Sequence, residues 1–330
     1  MKHYRAAVIG CGKIGSDFAD DPRIKDIYTH AGAYTASKKT ELIAVCDRDP
    51  VKAQRCAKRW GIRDSYDHME DLLSSQNPEV LSICTPDPTH YDLIHMALEY
   101  PSVLAVLAEK PLARSVKEAV KLVNLAQKNK KFLAVNYSRR YARNFQKLKE
   151  DLGKGAIGDI QGVSGFYGKG VFHSGTHWFD LARYMFGEVE AVRGFDRLEE
   201  EGDDPTLDVH LKFDSGFYAY LHGCSERAFS IFEMDIIGTT GRISVANSGH
   251  TMRFYDIIDS PYYSNYRIPH EKTLREGGME DMLLHAVEDL VNCLDNNQAP
   301  MCSGNDGIQA LKIAHAALSS ARRGKTVSMR

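Results

Sequence analysis

Residues 8–15 read V-I-G-C-G-K-I-G. Gly10, Gly12 and Gly15 stand in G-x-G-x-x-G spacing directly after a short β-rich run that begins at Tyr4. In that pattern the first glycine permits a tight turn, the second lets backbone approach a pyrophosphate, and the third lets a helix pack on the strand. A helix starting there would turn free N–H groups toward the phosphates. Gly10, Cys11, Gly12, Lys13, Ile14 and Gly15 are therefore the expected phosphate cradle. Alone the motif is weak, and its weight depends on the pattern of the next hundred or so residues.

Those residues alternate. E-L-I-A-V-C-D (41–47), E-V-L-S-I-C-T (79–85), S-V-L-A-V-L-A-E (102–109) and K-F-L-A-V-N-Y (131–137) are apolar runs of strand length. Helical patterns over 50–60, 89–99 and 115–130 separate them, the last with Val116, Ala119, Val120, Val123 and Ala126 at helical spacing. Buried runs alternating with crossover helices predict a doubly wound parallel sheet with helices on both faces. From about residue 157 the pattern becomes period two with Gly-rich turns, through Q-G-V-S-G-F-Y-G-K-G (161–170) to T-M-R-F-Y-D-I-I (251–258). That predicts an antiparallel sheet with one wet face. One helix interrupts it at 174–187, and helices return over 280–296 and 305–323. A chain of 330 residues exceeds one ordinary core. The reading is a Rossmann domain at 1–137 and an α+β domain with a mostly antiparallel sheet at 138–330.

Asp47, ending the second strand run, is the expected acid for the adenosine ribose, which favours NAD over NADP. It lies well beyond the usual distance from the glycines. An insertion, S-D-F-A-D-D-P-R-I-K-D-I-Y-T (16–29), ahead of a helix at 30–39 accounts for the delay. Arg48 leaves NADP open, since a guanidinium pairs with phosphate.

Bulk properties exclude other classes. A formal net charge of −2 gives no electrostatic case for nucleic acid or an anionic membrane. No apolar run approaches the roughly 20 residues that span a bilayer. Seven cysteines lack CxxC spacing, and Cys11, Cys46 and Cys84 read as small buried hydrophobes. The start, M-K-H-Y-R-A-A-V-I-G, turns straight into a strand without a secretory signal, and a reducing cytoplasm fits.

Ligands of open α/β sheets bind beyond the carboxyl ends of the strands. Two charged segments occupy that edge: C-T-P-D-P-T-H (84–90) and E-K-P (109–111). With G-x-G-x-x-G, Asp47 and a later G-T-H-W-F-D (175–180), they occur in an order that resembles the glucose–fructose oxidoreductase, inositol dehydrogenase and MocA family of NAD(P)-dependent oxidoreductases. The resemblance covers nearly the whole chain. It implies that Lys110 projects between nicotinamide and substrate, with Glu109 beside it and the Lys-Pro bond often cis. It also implies that Thr85, Pro86 and His90 line the ribose and nicotinamide. An ammonium at Lys110 would stabilise the alkoxide that develops as hydride leaves carbon.

In V-F-H-S-G-T-H-W-F-D-L-A-R-Y-M-F-G (171–187), Ser174 reads as an N-cap and Gly187 as a helix terminator. His177 would then fall in the first turn, where the helix dipole favours a neutral imidazole suited to a general base. The resemblance makes His177 the catalytic histidine, with Asp180 on its helix face to orient it or touch substrate. Many family members carry an aspartate where this chain has His173. That residue is a substrate or relay ligand, a sign of different chemistry, or half of a metal pair with His177. With no glutamate between them and no third ligand, no metal is expected.

Arg139 and Arg140, opening the second domain, are candidates for a sugar-type substrate, acidic or nucleotide-linked. Tyr262, Tyr263, Tyr266, Arg267 and His270 fall in an expected loop that would either stack on sugar rings or make an oligomer contact. The reading is hydride transfer at a carbinol carbon of a sugar, sugar derivative or cyclitol. Alternatives are an NAD-dependent glycosidase with transient hydride transfer and a non-catalytic NAD-responsive sensor. A homodimer or homotetramer through the open sheet is implied by the resemblance.

Overall fold

Six apolar segments pair in parallel in the order β3-β2-β1-β4-β5-β6: β1 Tyr4–Ile9, β2 Thr40–Cys46, β3 Asp64–Tyr66, β4 Val80–Ile83, β5 Ala105–Ala108 and β6 Phe132–Val135. The structure, a computed structural model, describes residues 3–200 and 202–330. Every residue of β4 and β5 is buried because helices cover both sheet faces, as their unbroken apolar runs require. The helices are α1 His30–Ala36, α2 Pro50–Trp60, α3 Met69–Gln76, α4 His90–Glu99 and α5 Val116–Lys128. Their ends obey local chemistry. Asp49 accepts the Val51 N–H at 3.0 Å ahead of Pro50, and Gly61 closes α2 at φ +68°. Ser115 and Glu118 form a capping box on α5.

The second sheet has nine strands in the order β14-β13-β12-β11-β7-β10-β9-β8-β15. They are β7 Ile160–Tyr167, β8 Val189–Phe195, β9 Asp208–Phe213, β10 Tyr218–Gly223, β11 Phe232–Gly238, β12 Gly241–Ala246, β13 Thr251–Asp259, β14 Arg267–Glu276 and β15 Val327–Ser328. All pairs are antiparallel except β10 with β7. Helices α6 Arg143–Gly153 and α7 Thr176–Phe186 accompany this sheet, and α8 Met282–Asn296 and α9 Gly304–Arg323 close the chain. The indole of Trp178 on α7 lies over Gly165, where a Cβ would stand 2.3 Å from it. Outward positions on the strands carry Phe166, Phe195, Tyr218 and Tyr220, all exposed.

The chain divides into two compact units, 1–142 with 280–309, and 143–279 with 310–330. The expected boundary at 137/138 stands close to the first division, but 280–309 goes with the N-terminal unit. Tyr4 donates to Asp295 of α8 at 2.8 Å, and Arg140 pairs with Asp306 of α9 at 2.9 Å. The segment expected as a loop at 260–270 is a hairpin tip running into the edge strand β14. Tyr262, Tyr263 and Tyr266 sit on the tip, while Arg267 and His270 lie in the strand.

Candidate functional site

The order of the six-stranded sheet reverses between β1 and β4, so the chain leaves these two strands in opposite directions and opens a crevice at their carboxyl ends. The glycine turn lies at that point. Gly10 has φ +98°, and a Cβ there would stand 2.7 Å from the Cys84 backbone carbon at the end of β4. A Cβ at Gly15 would fall 2.0 Å from the Gly10 oxygen. Gly12 alone faces open space, with nothing within 4 Å of its would-be Cβ. Among the described residues the N–H groups of Gly12, Lys13 and Ile14 meet no acceptor. Three successive free donors with room above them fit a pyrophosphate.

The insertion expected at 16–29 stands between the turn and its helix. Residues 17–20 form a 3₁₀ turn, and α1 starts only at His30, whose N–H bonds the Ile14 oxygen at 3.1 Å while Ala31 bonds Gly15 at 3.0 Å. The helix thus resumes on the carbonyls of the turn across a looped-out insertion. Asp17 and Asp20 of that insertion pair with Arg59 of α2, and Asp17 also with Arg55 at 2.7 Å. Asp47 ends β2 with one oxygen accepting the Cys11 N–H at 2.8 Å and the other the Asp49 N–H at 3.0 Å. Each oxygen keeps a lone pair for a ribose hydroxyl. Arg48 is exposed beside it.

Thr85 and Pro86 lie at the end of β4, half-buried and exposed respectively. His90, expected to line the cofactor, is instead fully buried. Its Nδ1 meets the Pro111 oxygen at 2.7 Å and its Nε2 the Thr85 oxygen at 2.8 Å. Both ring nitrogens are engaged by backbone, so His90 braces the turn after β4 against the turn after β5. The Lys110–Pro111 peptide in that second turn is cis, and Lys110 is half-buried.

Glu109 points inward, 8% exposed, at one end of a buried chain that the sequence reading missed. It meets His30 Nε2 at 3.0 Å and accepts from Asn136 Nδ2 at 2.6 Å; His30 Nδ1 meets Ser82 Oγ at 2.8 Å, as does the Tyr34 hydroxyl. Burial pushes the carboxyl up, but the His30 and Asn136 hydrogen bonds and the Lys110 charge outweigh it and hold it below the usual carboxylate range. Glu109 is therefore an internal anion that fixes the root of Lys110 rather than a surface ligand.

Arg140 is also displaced from its expected substrate role. It is 5% exposed, with its guanidinium on the Met301 oxygen at 3.0 Å and on Asp306, and so clamps the start of α9. Arg139, beside it, is pushed down to about 10 by burial.

In the second unit, α7 begins otherwise than expected. Ser174 caps nothing, because residues 170–175 form a π-helical turn that runs straight into α7. The first N–H groups of the run are those of 170–173, and residues 204–206 take all four. Gly170 donates to Thr206 Oγ1 at 3.1 Å and Val171 to the Pro205 oxygen at 3.0 Å; Phe172 and His173 donate to the two Asp204 carboxylate oxygens at 2.7 and 2.9 Å. The positive end of the helix dipole therefore falls at 170–173, not at His177. Gly187 terminates the helix as expected, at φ +94° with its N–H on the Arg183 oxygen. His173 and His177 are half-buried on this run, and Asp180 is buried. His173 lines a polar cavity of about 330 Å³ with Lys169, Asp204, Glu226 and Arg227.

Residues 4–137 match the oxidoreductase family model described as the NAD-binding Rossmann fold, and residues 167–329 match its C-terminal alpha/beta domain. The chain is 25% identical to myo-inositol 2-dehydrogenase of Thermotoga maritima across 98% of both chains. It is 30% identical to D-glucoside 3-dehydrogenase of Escherichia coli, across 56% of this chain and 54% of that one. Levoglucosan dehydrogenase, solved with NADH and levoglucosan, superimposes with a TM-score of 0.83 over 99% of both chains at 18% identity. The chain belongs to the glucose–fructose oxidoreductase, inositol dehydrogenase and MocA family of NAD-binding oxidoreductases.

Proposed function

We propose that this oxidoreductase transfers hydride at a carbinol carbon of a sugar, sugar derivative or cyclitol, with NAD preferred to NADP. The observation that carries the reading is the open glycine turn after β1, with its three acceptor-free N–H groups; β1 pairs with β4, and β4 with β5, the strand that leads to Lys110. Gly12, Lys13 and Ile14 would hold the pyrophosphate, Asp47 the adenosine ribose, and Thr85 and Pro86 the nicotinamide side. Asp47 would repel a 2′-phosphate. Arg55 and Arg59, the nearby cations of α2, are already paired with Asp17 and Asp20. When bound, the nicotinamide supplies the hydride acceptor. The Lys110 ammonium donates to the reacting oxygen and stabilises its developing charge. His177 takes and returns the hydroxyl proton, with Asp180 on its helix and His173 on the substrate.

Absorbance at 340 nm, followed with NAD and NADP against a panel of sugars and cyclitols, tests this. Reduction should be seen with NAD above NADP, and Lys110→Ala should lower turnover at least 100-fold while NAD affinity stays within a few-fold. Turnover undiminished in Lys110→Ala would end the catalytic reading. The chain would also self-associate through the outer face of the nine-stranded sheet. Phe166 stacks there on His222 and His210 lies against Phe195 and Tyr220, an aromatic surface suited to a second copy. Light scattering that gives a monomer mass would refute this.

A further inference from the structure

The insertion at 16–29 leaves the glycine turn beside α2. The Ser16 and Asp17 N–H groups both bond the Gly12 oxygen, at 2.9 and 3.0 Å. From there Asp17 meets two arginines of α2, one carboxylate oxygen on Arg55 at 2.7 Å and the other on Arg59 at 3.2 Å. The two arginines are not held alike. Arg59 also donates to Ser16 Oγ at 2.6 Å and pairs with Asp20. The Arg55 guanidinium has Asp17 as its one partner among the described residues.

Asp47 leaves the choice of dinucleotide half made. Its carboxylate suits two ribose hydroxyls and repels a 2′-phosphate, but Arg48, next in the chain and exposed, suits that phosphate. Asp49, the cap of α2, donates its N–H to Asp47 at 3.0 Å, so the first turn of α2 stands beside a ribose held by Asp47. Arg55 lies five residues past Pro50, about 7.5 Å along the helix axis. Side chains on a helix lean toward its N-terminus. Released from Asp17, the Arg55 guanidinium would turn back along α2 toward the point that Arg48 flanks, and two guanidiniums converging there would bind a phosphate.

We infer that Asp17 is a specificity-determining residue of the cofactor site: by holding the Arg55 guanidinium it denies a 2′-phosphate its second cation and keeps the chain on NAD. This role rests on the proposed cofactor site, with Asp47 on the adenosine ribose. Ser16 and Asp20 keep Arg59 engaged even when Asp17 carries no charge, so the selection lies in one ion pair. That pair is at the surface, its Arg55 and Asp17 side chains 51% and 26% exposed, and such a pair adds little to stability. Removing its charge should therefore alter selection and spare the fold.

The test is calorimetry of NAD and NADP with the full chain. Asp17→Asn keeps the shape of the side chain and its backbone bond to Gly12 while removing the charge. It should bind NADP about tenfold more tightly than the parent does, with NAD affinity within about threefold. Adding Arg55→Ala to Asp17→Asn should bring NADP affinity back to within about threefold of the parent's. The gain should also shrink as salt rises from about 0.05 to 0.5 M, as a guanidinium–phosphate contact requires. An NADP affinity unchanged in Asp17→Asn, a gain that NAD shares in full, or a gain that outlasts Arg55→Ala would each overturn the inference. A parent that binds NAD while Asp17→Asn leaves NADP affinity unmoved sinks the role of Asp17 and spares the cofactor reading. A parent that binds neither dinucleotide sinks both.

Discussion

Replacing Asp204 with alanine removes two acceptors from the start of the helical run that carries His173 and His177. Its carboxylate takes the Phe172 and His173 N–H groups at 2.7 and 2.9 Å, and the aspartate is exposed, so water replaces it once it is gone. Loss of an N-capping side chain costs about 0.5–2 kcal/mol. The negative charge at the dipole's positive end adds about 0.3–1 kcal/mol. The total is about 1–2 kcal/mol, because the released donors are rehydrated rather than left buried. At about 1.4 kcal/mol per factor of ten, the open state of this turn becomes roughly 5- to 30-fold more populated. Hydrogen exchange followed by mass spectrometry on short overlapping peptides reads this directly. The amides of 172 and 173 should exchange faster by that factor, and those of 170 and 171, held by Thr206 and Pro205, should change less. Gly170→Ala should reach the same state by another route, since its Cβ would lie 2.2 Å from the Asp204 carboxyl at φ +78°. Both changes break one latch, so the double variant should fall short of their sum. Exchange at 172–173 that is the same in Asp204→Ala and the parent would refute the reasoning.

The glycine turn separates stability from binding: Gly15→Ala, with its Cβ 2.0 Å from the Gly10 oxygen, should lower the melting temperature without cofactor, whereas Gly12→Ala, facing open space, should leave it within about 1 °C yet abolish most of the NAD-induced thermal shift. Equal effects of the two alanines would contradict the cradle. Asp47→Ala should weaken NAD roughly tenfold by calorimetry, about 1.4 kcal/mol, and narrow the gap to NADP; an unchanged NAD affinity would remove Asp47 from the site. Glu109 is held below the usual carboxylate range, so its ionised form stabilises the fold above an unfolded value of about 4.3, and that contribution is lost as pH falls through the lower folded value. The melting temperature should therefore fall more steeply in the parent than in Glu109→Gln between about pH 4.5 and 3; parallel curves would mean that His30 and Asn136 do not stabilise the anion.

The parts legible in the sequence are those whose cause is local. The period-3.6 stripe of α5 and Gly187 at φ +94° both write their structure into a few adjacent residues. The insertion at 16–29 was legible for a similar reason, since Asp47 arrived late for a residue of its kind. Elements without such marks escaped: β3 is three half-buried residues, and α3 and α6 lie in polar stretches whose apolar positions are few. What could not be read was allegiance across distance. Tyr4 and Asp295 are 291 residues apart, so nothing near α8 says that it belongs with the first sheet. Glu109 and His30 are 79 apart, and Asp204 caps a turn 31 residues before it. His90 and Arg140 show the same limit from the other side. Their side chains carry the donors that suit a ligand, and those donors suit a backbone carbonyl equally well, so residue type at a strand end announces polar chemistry without saying toward what. This bears on how activity data are interpreted. Because His90 ties the Thr85 turn to the Pro111 turn, its replacement should shift both turns and lower turnover whether or not it meets the cofactor. Loss of activity alone therefore cannot assign a ligand role here; a residue that touches the dinucleotide changes its affinity while sparing the unliganded fold, and a brace moves both together.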